Sequence, residues 1–308
     1  MSKPMVLKRK KTEAYISHCY STWGKSYYGD YYGKNSNYPP VHKWLIQKLI
    51  KSHKARTLLD AGCGPASILR DIIKQKITAY GFDLTPEMVE EAKRVFKKQG
   101  LPPSRIWEGS VLDKKSFSPP GSKNIKFDAS ICIGVLPHIP HKNISTVFKN
   151  LKDAVKKNGL VVVEARNQFF ALYTLNRYSY DFFKDELLRV NDLTRWVGKN
   201  KKDLSKALNL LQKQFRMDLP ARRKGKKGEP GYDEVLSLTH NPFLLKEEFA
   251  KVGFKNVRLL FYHYHCLPPL VSHPVRELFL KESVAMEDPY DWRGYFMASA
   301  FLLAGEKI

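Results

Sequence analysis

The stretch LLDAGCGPASILRDI, Leu58 to Ile72, places an aspartate and two glycines between two apolar segments. Its first residues suit a buried strand, and its last ones carry apolar side chains at helical spacing. Gly62 and Gly64 therefore fall at a turn from strand to helix, where glycine permits backbone conformations that other residues disfavour. The pattern predicts a turn that a bound molecule approaches closely.

Outward from this turn, short apolar segments alternate with amphipathic segments from Arg56 to Arg166. We predict strands over TLLDAG, ITAYGFD, RIWEGS, FDASICIGV and LVVVEAR. The helices between them are predicted over ASILRDIIKQK, TPEMVEEAKRVFKKQG and NISTVFKNLKDAVKKNG, with Thr85 as an N-cap and Gly100 and Gly159 as stops. This rhythm is typical of an α/β fold in which a parallel sheet is covered by helices on both faces.

The alternation is lost after Asn167 and returns with the helix NPFLLKEEFAKVGF, the strand KNVRLLFYHYH and a last strand in GYFMASAFLLAGEK. The intervening segment begins with the aromatic stretch FFALYTLNRYSYDFF and ends in a Gly/Lys/Pro-rich loop. We therefore divide the chain into four segments. Residues 1–52 form an N-terminal helical segment that is part of a cap, and residues 53–167 form a nucleoside-binding core. Residues 168–239 form a helical lid or substrate insertion, and residues 240–308 form the C-terminal part of the core.

The 308-residue chain is strongly basic, with 53 Lys and Arg against 30 Asp and Glu and a formal net charge of +23. Such an excess favours polyanions, for example nucleic acid, an anionic membrane surface or a phosphorylated substrate. Lysines are spread along the whole chain, and only LKRKK (Leu7 to Lys11) and RRKGKK (Arg222 to Lys227) form clusters. A Gly-rich charged loop of the second kind is more often a solvated surface loop than a binding site.

The four cysteines show no spacing typical of a zinc site or of a disulfide framework, so we expect reduced thiols and no metal. No apolar run approaches the roughly 20 residues of a membrane span. The N-terminus is basic but lacks the apolar segment of a signal peptide. We expect a cytoplasmic protein without a membrane span.

Four motifs follow the successive predicted strands, and their order is more specific than the glycine turn alone. They are D-A-G-C-G-P-A from Asp60, the strand-end Asp83, G-S-V-L-D from Gly109 and V-L-P-H-I-P from Val135. An acidic residue at the end of the second strand can bind both ribose hydroxyls of a nucleoside. Together the motifs resemble the class I S-adenosylmethionine-dependent methyltransferases, in particular those that act on small molecules.

The resemblance implies a doubly wound, Rossmann-like sheet of seven strands with the last strand antiparallel, and S-adenosylmethionine as cofactor. It also assigns cofactor-binding roles along the motifs. The amino-acid part of the cofactor falls to Asp60, Ala61, Gly62 and Gly64, the ribose to Asp83, an adenine face to Leu84, the adenine edge to Ser110 and Val111, and the methionine part to Ile133. Many relatives have an aspartate at the position of Ser110, so here the bond to the adenine amino group is expected from Ser110 or Asp113.

Methyl transfer from a sulfonium is a direct displacement, and a general base is needed only for an acceptor that carries a proton. His138, in the loop after the fourth strand, is the candidate base; alternatively it only supports this loop. Tyr173 and Arg177 of the insertion and His263 near the end of a late strand are candidate substrate contacts. For the aromatic residues of the insertion, packing of the lid is the competing interpretation.

We predict transfer of a methyl group to an oxygen or nitrogen of a small molecule under the helical lid. One alternative is an RNA methyltransferase that modifies a ribose or a ring nitrogen and binds through the basic surface; another is a non-catalytic cofactor-binding partner subunit. The segment GVLPHIP lacks the polar-Pro-Pro-aromatic clamp used for exocyclic base amines. Methylation of a pyrimidine carbon needs a nucleophilic cysteine near the same site, but Cys132 lies in a predicted buried strand. Both observations count against base methylation, and the intact motifs count against a non-catalytic subunit.

Overall fold

A computed structural model describes residues 3–23, 26–33, 36, 38–122, 125–190, 201–219, 231 and 234–308. The chain forms two compact units: residues 1–166, 222–260 and 300–308 make up the first, and residues 167–221 and 261–299 the second. The basic cluster RRKGKK lies outside the described residues. In the cluster LKRKK, only the side chain of Lys11 is described. Over the described ranges, no helix combines the length and apolar character that crossing a membrane would require.

The sheet contains seven strands in the order β3-β2-β1-β4-β5-β7-β6. The strands are β1 (Thr57–Ala61), β2 (Thr78–Asp83), β3 (Ile106–Glu108), β4 (Phe127–Cys132), β5 (Val155–Arg166), β6 (Phe254–Tyr264) and β7 (Ala298–Lys307). β1 pairs in parallel with β2 and β4, β2 with β3, and β4 with β5, whereas β7 runs antiparallel to β5. The predicted doubly wound sheet with an antiparallel last strand is therefore confirmed.

Helices connect and flank these strands. The α-helices of the described residues are α1 (Lys3–Ser21), α2 (Tyr27–Tyr32), α3 (Val41–Ser52), α4 (Leu69–Ile72), α5 (Pro86–Lys98), α6 (Ile144–Ala154), α7 (Arg177–Phe182), α8 (Lys201–Gln212), α9 (Pro242–Gly253), α10 (Pro269–Ser272), α11 (Arg276–Ala285) and α12 (Gly294–Met297). The central strands are buried on both faces, as the near-continuous apolar runs of a covered parallel sheet require. The order of the strands changes direction between β1 and β4: β2 and β3 lie on one side, and β4 and β5 on the other. In such sheets, ligands bind at the carboxyl ends of the strands at this point.

Two predicted helices differ from the observed ones at their ends. The helix after β1 begins only at Leu69, because Ala66 adopts a left-handed backbone with φ of 59° that interrupts helical geometry. The helix before β5 ends at Ala154 and not at Gly159, since Val155 already pairs with Phe127 of β4. Thr85 does precede α5, but its side chain makes no capping hydrogen bond to that helix.

The amino-terminal end of β1 is tied to β4 through Asp128. Its Oδ2 accepts hydrogen bonds from the backbone N–H groups of Arg56 and Thr57, each at 2.9 Å, and from Thr57 Oγ1 at 3.0 Å. Lys156 Nζ donates to Oδ1 at 2.6 Å. Partial burial raises the pKa of this carboxyl, but the bonds from Lys156, Arg56 and Thr57 outweigh that effect and lower it to about 2. Asp128 therefore holds two parallel strands in register as a carboxylate.

We expect Asp128→Ala to lower the free energy of unfolding by about 2 kcal/mol at neutral pH, since it leaves two strand-end N–H groups without an acceptor. Because the pKa of Asp128 is depressed in the folded state, its contribution is present above the unfolded carboxyl pKa and is lost as the pH falls toward 2. Denaturant unfolding at pH 7 and at pH 3 measures both effects. The difference in the free energy of unfolding between wild type and variant should be smaller at pH 3. An equal difference at both pH values would contradict this account.

Candidate active site

A cavity of about 510 Å³ opens at the carboxyl ends of β1, β2, β3 and β4 within the first unit. Eight of the residues predicted to act in binding or catalysis line it: Gly62, Gly64, Asp83, Leu84, Ser110, Val111, Ile133 and His138. The other walls include four residues of α1, namely Thr12, Glu13, Ile16 and Tyr20, together with Tyr27 of α2. The cavity is thus built by the four loops that follow β1, β2, β3 and β4 and by N-terminal helices that are distant from them in sequence.

The glycine turn is held tightly against the loop that follows β4. Gly62 has a φ of +87°, and a Cβ on it would lie 2.3 Å from Val135 Cγ2, so only glycine fits. Gly64 has a φ of +51° but faces open space on the side where a Cβ would stand. The Gly64 N–H donates to Asp83 Oδ2 at 2.8 Å. Both glycines line the cavity, and a side chain would be blocked by Val135 at Gly62 but not at Gly64.

Carboxylates surround this turn. Asp60 is 2% exposed, and its Oδ1 has no hydrogen-bond partner among the described residues. Burial raises the pKa of the Asp60 carboxyl, and the charge of Asp83 raises it further. A third carboxylate, Glu164, accepts the Gly134 N–H through Oε2 at 2.6 Å. Close negative charges and an unsatisfied buried acceptor favour a ligand that brings positive charge and N–H donors.

Asp83 lies at the end of β2 and faces the cavity. Its Oδ1 accepts the Thr85 N–H at 2.9 Å while Oδ2 accepts the Gly64 N–H. Burial raises the pKa of Asp83 more than the bonds from Thr85 and Gly64 lower it. Each oxygen of a carboxylate has a second lone pair, so both can still accept a ligand hydroxyl.

His138 is buried beside the cavity with both ring nitrogens engaged. Nδ1 lies 2.6 Å from the Leu236 carbonyl oxygen, which can only accept, so Nδ1 carries the proton. In the neutral form of the ring, Nε2 is then the acceptor, and the Tyr20 hydroxyl donates to it at 2.9 Å. The Tyr20 ring stands edge-on to the imidazole, with centroids 5.5 Å apart. This arrangement places a basic nitrogen behind a tyrosine hydroxyl in the cavity wall.

Comparison with known proteins decides the family. Residues 59–161, which hold the glycine turn, Asp83, Ser110 and His138, match a family model described as a methyltransferase domain. These residues form a class I S-adenosylmethionine-dependent methyltransferase domain. S-Adenosylmethionine is its cofactor, and the cluster of carboxylates around the glycine turn fits that cation.

Curated relatives of the methyltransferase domain are distant. A ubiquinone biosynthesis O-methyltransferase from Histophilus somni (strain 2336) is 25% identical over 54% of this chain and 77% of its own length. A glycine N-methyltransferase from Oryctolagus cuniculus is 27% identical over 48% of this chain and 52% of its own length. A solved S-adenosylmethionine-dependent methyltransferase from Archaeoglobus fulgidus is 12% identical, covers 86% of this chain and 94% of its own, and has a TM-score of 0.43.

Two predicted cofactor contacts of the methyltransferase domain do not line the cavity. Asp60 and Ala61 are buried in β1, directly before the glycine turn. The roles of Asp60 and Ala61 in binding the cofactor stay predictions. Asp113, the alternative to Ser110 at the adenine edge, is exposed and accepts the Lys115 N–H at 3.1 Å. Its carboxylate thus caps the turn that follows.

The three candidate substrate contacts lie in the second unit. Tyr173 Oη donates to the Cys266 carbonyl oxygen at 3.2 Å, and the Arg177 guanidinium lies 5.5 Å from the centre of the Tyr178 ring. His263 has a left-handed backbone with φ of 62° and stacks on His265 at 5.3 Å. Their roles in binding an acceptor stay predictions.

The cavity residues of α1 were missed by sequence reasoning. Tyr20 stacks on Trp23 at 5.6 Å, and Trp23 meets Tyr27 edge-on at 5.5 Å. Cys19, Trp23 and Met88 share a buried cluster, which fixes α1 beside the start of α5. The aromatic composition near the N-terminus was a visible signal for a packed segment, but it gave no indication of which strand-end loops the segment contacts.

Proposed function

We propose that the protein transfers a methyl group from S-adenosylmethionine to an oxygen or nitrogen of a small molecule. The observation that carries the proposal is the Tyr20–His138 pair in the wall of the same cavity as Gly64, Asp83 and Ser110. The cover provided by α1 favours a small acceptor over a polynucleotide. The relatives described above, an O-methyltransferase and an N-methyltransferase, support this class of reaction.

The residues of the glycine turn and of the β2 end are proposed to hold the cofactor. Asp83 would accept hydrogen bonds from the ribose hydroxyls, and Asp60 and the backbone at Gly64 would hold the charged amino-acid part. Leu84 and Val111, which line the cavity, would supply apolar contacts for the purine, and Ile133 would contact the methionine part. When bound, the cofactor supplies an electrophilic methyl group on a positively charged sulfur.

The chain itself contributes enclosure, orientation and a route for one proton. Exclusion of water by α1 strengthens electrostatic interactions in the cavity. Because Nε2 of His138 is occupied by the Tyr20 hydroxyl, an acceptor hydroxyl or amine meets Tyr20 first. Its proton passes to Tyr20 Oη while the Tyr20 proton passes to Nε2, which leaves an imidazolium bonded to the Leu236 carbonyl and to Tyr20. Tyr20 thus contacts the acceptor, and His138 is the final proton acceptor.

The insertion at residues 168–239 is proposed to contribute to acceptor binding through Tyr173 and Arg177, with His263 as a further contact. This part of the proposal rests on their position in the sequence, after the strand β5 whose carboxyl end belongs to the ligand-binding edge. The N-terminal segment 1–52 is proposed as the other part of the cap, since α1 and α2 both contribute cavity residues.

Incubating the protein with cell extract and S-adenosylmethionine labelled in its methyl group, with and without ribonuclease, tests the acceptor class. We expect the label in a small metabolite, unchanged by ribonuclease. A heat-inactivated sample is the control. Label confined to RNA and lost after ribonuclease treatment would contradict the small-molecule proposal and support binding through the basic surface, whose affinity should then fall steeply with salt.

A further inference from the structure

The purine end of the cavity contains a carboxylate that comes from the N-terminal helix. Glu13 of α1 lines the cavity together with Ser110 and Val111. Ser110 Oγ donates to Glu13 Oε1 at 2.5 Å, across 97 residues of sequence. The same Oγ accepts the Leu112 N–H at 3.1 Å, so the hydroxyl proton is directed to the carboxylate. Glu13 is thereby held in a defined position at this end of the cavity.

The loop that contains Ser110 is held by several hydrogen bonds, which leave one of its backbone N–H groups without an acceptor among the described residues. The Ser110 N–H donates to Ser116 Oγ at 3.0 Å, and the Asp113 N–H donates to the Ser110 carbonyl at 3.0 Å. The Val111 carbonyl accepts from Asn150 Nδ2 at 3.0 Å. In contrast, the Val111 N–H has no acceptor among the described residues. A carboxylate acceptor and a backbone donor therefore lie next to each other in the cavity wall.

We infer that Glu13 reads the amino group of the cofactor's purine and makes the site selective for a 6-aminopurine. This inference rests on the proposed function. Adenine presents an amino donor at position 6 beside the ring acceptor N1, which matches the carboxylate of Glu13 beside the N–H of Val111. A 6-oxopurine presents an acceptor beside a donor, so each group would meet one of its own kind. Phe82, Leu84 and Met88 supply the apolar walls around this edge.

A pair of ligands that differ only at this edge tests the inference by calorimetry without any methyl transfer. The probes are S-adenosyl-L-homocysteine and its 6-oxo counterpart, S-inosyl-L-homocysteine. We expect wild type to prefer the amino form by at least about tenfold, the effect of one hydrogen bond to a charged group. Glu13→Gln should weaken binding of the amino form by about tenfold to a hundredfold and should reduce the preference by about tenfold, because an amide can also donate to a 6-oxo oxygen.

Glu90→Gln is the matched control, since Glu90 is an exposed carboxylate on α5 with no assigned contact to the cavity. It should leave both affinities at the wild-type values. Ser110→Ala, which removes the bond that positions Glu13, should give an intermediate loss of preference. Circular dichroism and thermal unfolding of each variant establish that it is folded.

The outcomes separate the two proposals. If wild type binds neither probe, the proposed function fails. If wild type binds the amino form and Glu13→Gln leaves both the affinity and the preference unchanged, Glu13 does not read the purine, while the proposed function stands. A preference lost in Asp113→Asn instead would assign the role to Asp113 and overturn the inference.

Discussion

Replacing Asp83 by alanine is expected to weaken binding of S-adenosyl-L-homocysteine by at least about a hundredfold. The carboxylate is positioned by the Thr85 and Gly64 N–H groups and faces the cavity. Its loss removes two hydrogen bonds that the ribose hydroxyls would donate to a charged acceptor. Each such bond contributes about 1.5–3 kcal/mol. It also leaves the Gly64 N–H of the turn without its acceptor. Isothermal titration calorimetry measures the change directly.

Glu90→Ala is the control for this variant, because Glu90 is an exposed carboxylate on α5, the helix that follows Asp83. Its affinity should equal that of wild type. The pH dependence gives a second readout. Because burial raises the pKa of Asp83, the carboxylate protonates at a higher pH than a free one, so wild-type affinity should weaken on acidification. An Asp83→Ala variant that binds with near-wild-type affinity would contradict the assigned site.

Tyr20→Phe and His138→Gln are both expected to slow methyl transfer by about 10²- to 10⁴-fold, the usual contribution of general acid–base catalysis. Each variant breaks the same route, since Tyr20 Oη is bonded to His138 Nε2. The double variant should therefore be little slower than either single one, as is found for groups that act as a unit. Initial rates with the acceptor identified by labelling, at saturating cofactor, measure the effect.

Tyr15→Phe is the matched control for the hydroxyl, because Tyr15 lies on the same helix and is 45% exposed. Cofactor affinity should stay at the wild-type value in Tyr20→Phe, which distinguishes a catalytic defect from a misplaced helix. Wild-type rates in both Tyr20→Phe and His138→Gln would show that the pair only supports the loop after β4.

The sheet and the strand-end residues that line the cavity could be predicted from the sequence because their signals are local. Apolar runs mark the strands, and Gly62, Gly64 and Asp83 fall at strand ends, whose positions in a parallel sheet are fixed by topology. The ends of α4 and α6 could not be predicted in this way. They depend on a left-handed residue at Ala66 and on the pairing of Val155 with Phe127, which follow from tertiary contacts.

The contributions of α1 were inaccessible for a related reason. Glu13 meets Ser110 across 97 residues, and Tyr20 meets His138 across 118 residues. Neither contact leaves a periodic pattern or a characteristic spacing in a single sequence. Ser110 was recognised as a departure from the usual aspartate, but the compensating carboxylate lies on an element that sequence patterns place only as helical.

Glu13 and Tyr20 are seven residues apart on one continuous helix, so they lie on the same side of it, separated by two turns and about 10 Å. One end of this rod contacts the loop of Ser110, and the other contacts His138. A ligand that fixes the position of α1 at the Ser110 contact therefore also affects its position at the His138 contact. If a ligand at one contact shifts this helix, it also changes the other contact, and linkage makes any such coupling between the two ligands reciprocal.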